Sequence, residues 1–182
     1  MVEGDVVAAE AVADDPAPVT GQPAVVVIGV GNALRRDDGA GLAVARRLGA
    51  GVNAAGAPGG AAIAVLEYEG EPLGLLELWN GARAVVLVDA IRSGAAPGTI
   101  HRVDVSRAPV PALLRGSSST HAVGVGEAIE LARELGRLPE RVVVYGVEGA
   151  CFDAGEGLTV EVTEGVDSLA NAVMREAEGL AA

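Results

Sequence analysis

The chain has 182 residues, enough for one domain with a real core and no need of metal or disulfide staples. Thirteen basic residues, all Arg, stand against 25 acids, and the net charge of −12 argues against nucleic acid or an anionic membrane surface as partner. Half of the residues are hydrophobic and only 2% are aromatic, so the core must be aliphatic, and the single cysteine, Cys151, excludes an internal disulfide framework and fits a reducing cytoplasm.

Residues 1–22 carry five acids, no base and two prolines near their end, a composition that predicts an acidic disordered tail ahead of a single α/β domain over 23–182. The N-terminus lacks the basic and apolar regions of a signal peptide, and no apolar run approaches a membrane span. From there short apolar runs alternate with longer amphipathic ones. The pattern predicts a strand near 24–30, a helix near 38–49, a strand near 61–66 and a helix near 72–80. Strands follow near 84–89 and 98–103, then a loop over 104–119, a helix near 121–136, a strand near 141–147 and a last helix near 163–179. "AVVVIGV", "AVVLVDA" and "RVVVYGV" are apolar on both faces, as strands covered by helices on each side should be. The expected fold is therefore α/β, a three-layer α/β/α arrangement around a mostly parallel sheet of about five strands.

The first strand closes on "GVGNALRRDDGAG", which begins like a dinucleotide-binding turn. Leu34 stands where the third glycine should be, and Asp37 and Asp38 follow, a pair of acids that a pyrophosphate would not tolerate. Ligands of such sheets collect at the carboxyl ends of strands. The polar residues expected there are the Asp37–Asp38 pair, Asp89 at the end of "VVLVDA" and His121 where "SSSTHAVGVGEAI" enters a helix. Asp38, Asp89 and His121 together make a plausible oxygen-oxygen-nitrogen metal site. Asp37 reads first as a helix N-cap. His101 reads as a strand residue on a solvent face, and Cys151 as a half-buried thiol, with a Cys151–His121–Asp89 hydrolase conceivable but without a local signature. Glu67, Glu69 and Glu71 read as mostly exposed, near a loop that Gly70 would let line the same cleft.

Three blocks in order carry a resemblance. "GVGNALRRDDGAG", "VDAIRSGAAPGTIHRV" and "STHAVGVGEAIELARELGRLPERVVVYGVE" are similar to the motifs of the hydrogenase maturation endopeptidases, over about residues 24–178. The resemblance implies an enzyme, a hydrolase that removes a C-terminal extension from the large-subunit precursor of a nickel-iron hydrogenase after nickel insertion. The family's metal-contacting positions fall on Asp38, Asp89 and His121. It further implies nickel supplied by the substrate, no organic cofactor, the large-subunit precursor as partner, and a cytoplasmic monomer. Where family members often carry a Gly-Thr or similar turn, this chain has "EGEP". Two alternatives remain: a small-molecule hydrolase or phosphorylase on a related α/β scaffold, and a non-catalytic module that binds a metal-loaded partner.

Overall fold

The computed structural model describes residues 24–52, 63–115 and 124–182. The element order is β1 (Val25–Val30), α1 (Ala40–Val52), β2 (Ile63–Tyr68), α2 (Leu75–Leu78), β3 (Ala84–Ile91), β4 (Ile100–Asp104), α3 (Val125–Glu134), β5 (Arg141–Glu148) and α4 (Val160–Ala181). Short 3-10 turns precede α1 at Arg36–Gly39 and α2 at Pro72–Gly74, and a third occupies Ala112–Leu114. The helix expected over 72–80 is thus a 3-10 turn followed by a single α-helical turn. Pro72 and Gly74 account for this, since neither residue favours the interior of a helix. The acidic tail expected over 1–22 lies outside the described residues.

The five strands form one sheet in the order β2-β1-β3-β5-β4. All pairs are parallel except β4 with β5, so the expected three-layer α/β/α fold is the fold observed. β1, β3 and β5 are buried almost throughout, which explains why their sequences lack alternation. One face packs Val26, Ile28, Val85, Leu87 and Val144 against Leu75, Trp79, Val125 and Ile129 of the α2 and α3 layer. The other packs Val27, Val86, Val88 and Val143 against Val44 of α1 and Val162, Leu169 and Val173 of α4.

The glycines of the first block serve this packing. A Cβ at Gly41 would overlap the carbonyl oxygens of Val30 and Val88, so only glycine lets the first turn of α1 lie against the tips of β1 and β3. Gly29 has the same role from the strand side, where a Cβ would collide with the carbonyl of Gly41. The motif that begins like a phosphate cradle is a close helix-to-strand contact.

His101 departs from expectation. In β4 the exposed residues are Ile100, Arg102 and Asp104, while His101 shares its half-buried face with Val103, which packs on the core. Its Nε2 atom is buried rather than turned to solvent. The cause is pleating: Ile100 and Val103 lie on opposite faces of the strand, so their apolarity did not define one buried side.

Candidate functional site

The chain runs from β1 outward to β2, then returns to the other side of β1 to begin β3. That reversal makes the carboxyl ends of β1 and β3 a topological switch point, where an open α/β sheet leaves a crevice. The turn Arg36–Gly39, which follows β1, packs against β3 there. β1 pairs with β3 only as far as Gly29 opposite Val88, so Asp89 is the first β3 residue beyond that ladder. Strand alternation directs its side chain to the face of Leu87 and Ile91, the face that α3 covers.

Of the four buried acids at this edge, Asp37 and Asp89 sit in two different environments. Asp37 is fully buried, and its carboxylate accepts hydrogen bonds from the amides of Ala150 (2.8 Å), Cys151 (2.9 Å) and Thr159 (2.7 Å) and from the Thr159 hydroxyl (2.9 Å). Burial alone would raise its pKa, but these donors outweigh that and hold it below the usual carboxylate range. Asp37 does not cap its own helix. It binds the N-cap residue of α4 instead, and so ties the turn after β1 to the connection between β5 and α4. The N-cap expectation is corrected accordingly. Its partners lie more than a hundred residues away in the chain, beyond the reach of a local rule.

Asp89, with Asp38 beside it, has the other environment. Asp38 is 5% and Asp89 7% exposed. Burial pushes Asp89 up to about 8, the negative charge of Asp38 adds to the rise, and the one amide hydrogen bond, from Ala90 at 2.9 Å, opposes it only in part. The two sequence-predicted acids are therefore brought within electrostatic reach of each other in a buried crevice. His121 lies outside the described residues, which resume at Gly124 just ahead of α3. Among the described residues no group of three or more His, Cys, Asp or Glu side chains could hold a metal ion.

The remaining candidates have structural roles. The Cys151 thiol is half-buried and donates to Asp153 Oδ2 at 3.6 Å. Glu67 and Glu69 are exposed and pair with Arg46 at 2.7 and 3.8 Å. The Glu71 carbonyl accepts from the Tyr68 hydroxyl and the Gly74 amide, which folds the segment after β2 into a compact turn. Sequence reasoning missed Glu148. At 2% exposure it closes β5, and its carboxylate accepts from the amides of Ser93 (2.9 Å) and Gly94 (2.8 Å) and from the Ser93 hydroxyl (2.7 Å). Burial works against its ionisation, but these bonds prevail and lower its pKa. The available signal was an acid ending an otherwise apolar strand.

Fold and site define a doubly wound α/β protein with paired buried carboxylates at its switch point. The hydrogenase maturation protease family model matches residues 62–176. The chain is 29% identical over 154 residues to the hydrogenase expression/formation protein HupD of Rhodobacter capsulatus, covering 84% of this chain and 70% of that protein. Its fold is similar to that of the hydrogenase maturating endopeptidase HybD from E. coli, with a TM-score of 0.67, 24% identity and coverage of 84% and 90% of the two chains. The [NiFe] hydrogenase maturation protease HybD from Thermococcus kodakarensis gives a TM-score of 0.62 at 25% identity, with coverage of 84% and 98%. The chain belongs to the hydrogenase maturation protease family, and it is a peptidase. No helix among the described residues is long and apolar enough to cross a membrane.

Proposed function

We propose that the protein removes the C-terminal extension of a nickel-iron hydrogenase large-subunit precursor once nickel has been inserted, and that Asp38, Asp89 and His121 contact the nickel carried by the substrate. The observation that carries this reading is the Asp38–Asp89 pair: two buried acids meet at the switch point, where burial first and the charge of Asp38 second push Asp89 up to about 8. An arriving dication would relieve that repulsion and favour the ionised form of both. Two carboxylates and an imidazole without a thiolate form a modest ligand set, suited to gripping a metal without stripping it from softer ligands in the precursor. Nickel so held can polarise the scissile carbonyl or lower the pKa of the attacking water. Water adds to that carbon, the C–N bond breaks, and the proton passes to the leaving amine.

Asp38→Asn preserves size and shape but removes the charge that makes the oxygen a good ligand. It is expected to abolish cleavage of nickel-loaded precursor, read as intact mass, with the fold retained. His121→Ala is expected to do the same. Normal cleavage by both variants would remove the site from the mechanism. Binding of precursor without any cleavage by the wild type would favour the non-catalytic module instead.

A further inference from the structure

The loop that carries Asp38 buries Asp37 and half-buries Asn32 and Arg35, while Leu34 and Arg36 are exposed. Asn32 Oδ1 accepts the amide of Leu34 at 2.9 Å, a guanidinium N–H of Arg35 donates to the Phe152 carbonyl at 3.1 Å, and Asp37 is fully buried. Leu34 is 62% exposed.

The backbone around Leu34 is held from both sides. Gly31 donates to Tyr68 at the end of β2, Asn32 to Asp38, Arg35 to Asn32, and Asp38 to Arg35. Across the crevice edge, Gly155 donates to Leu34 and Arg36 to Gly155, both at 2.8 Å, while Asp37 donates to Cys151 at 3.0 Å. Leu34 is thus presented on a preformed backbone that need not be ordered again on binding.

Other exposed hydrophobic side chains are found along the carboxyl edge of the sheet. Six large hydrophobic side chains are exposed among the described residues. Leu34 follows β1, Leu73 follows β2 and Val160 opens α4, next to the Thr159 that Asp37 binds; Ile100 begins β4 at the same end of the sheet. Leu131 and Leu135 lie at the far end of α3, near the amino edge.

We infer that Leu34 is an anchor for the substrate polypeptide: it inserts among apolar side chains of the hydrogenase precursor and so sets which precursors reach the Asp38–Asp89 crevice. The inference rests on the proposed function above and adds its specificity element. The occupant is the precursor, because Leu34 and Asp38 belong to one hydrogen-bonded turn, so a chain delivered to Asp38 comes beside Leu34.

The test measures binding of purified nickel-loaded large-subunit precursor to the Asp38→Asn protein, and cleavage kinetics in the wild-type background. Leu34→Ala is expected to weaken binding and raise KM by about tenfold, as loss of a buried leucine side chain implies, and Leu34→Asp by more, with kcat little changed. Leu135→Asp, a comparable exposed leucine at the opposite edge, is expected to leave both unchanged. Thermal unfolding should match the wild type for all three, since no core contact is removed. Wild-type affinity in both Leu34 variants, or an equal loss in Leu135→Asp, would overturn the inference while leaving the proposed function intact. A wild-type protein that neither binds nor cleaves the precursor would instead overturn the function itself.

Discussion

Asp37 and Asp89 are both buried acids at the carboxyl edge of one sheet, yet their surroundings move them in opposite directions. Around Asp37 the β5 to α4 connection supplies three amides and a hydroxyl, and the carboxylate is more acidic than usual despite its burial. Around Asp89 one amide offsets the lost water only in part and a neighbouring acid adds to the rise, so its pKa is pushed up to about 8. Burial is common to both, so burial does not decide the direction of the shift. The count of donors does. Glu148, with Ser93 and Gly94 as donors, belongs with Asp37.

The largest effect that would sharpen this contrast is on stability. Asp37→Ala would strand the amides of Ala150, Cys151 and Thr159 without their acceptor and is expected to cost about 3–5 kcal/mol. Denaturant unfolding checks this. A loss below about 1 kcal/mol would break the distinction, because it would mean that the two loops hold together without Asp37.

Next come the pH profiles, whose signs oppose each other. The folded pKa of Asp37 is lowered, so its stabilisation is full above the ordinary carboxylate value of about 4 and is lost as pH falls through the folded value. That of Asp89 is raised, so the folded state binds more protons than the unfolded chain between about 4 and 8, and stability falls as pH rises across that window. Asp89→Asn cannot ionise. It is expected to match the wild type near pH 4.5 and to exceed it in unfolding free energy near pH 8.5, whereas a wild-type advantage at the higher pH would contradict the account.

A smaller loss, about 1–2 kcal/mol, is expected for Glu148→Gln, which keeps the shape but weakens charge-assisted bonds to Ser93 and Gly94. The same denaturant series measures it. Removal of residues 1–22 should do least. Their acidic, base-free composition supplies no core pattern, so the melting temperature is expected to stay within about 2 °C. A larger fall would show that this segment packs on the domain.

The apolar runs of β1, β3 and β5 were legible because a strand covered on both faces has no other composition open to it. The positions of Asp38, in the turn after β1, and Asp89, near the end of β3, were legible because the switch-point rule singles out that edge. The role of Asp37 was not, because its donors come from a loop far along the chain. The orientation of His101 was not either, since Ile100 and Val103 fall on opposite faces of an edge strand, where local alternation leaves the buried side undecided.

The account turns on whether Asp38 and Asp89 read the metal in the substrate. Matched large-subunit precursor, with and without nickel, incubated with the wild-type protein and weighed by mass spectrometry, tests this most directly. Cleavage of the nickel-loaded precursor alone is the predicted result, because apo substrate would leave buried carboxylates without the group they grip. Equal cleavage of both precursors would contradict metal-gated recognition and leave the Asp38–Asp89 pair without its proposed role.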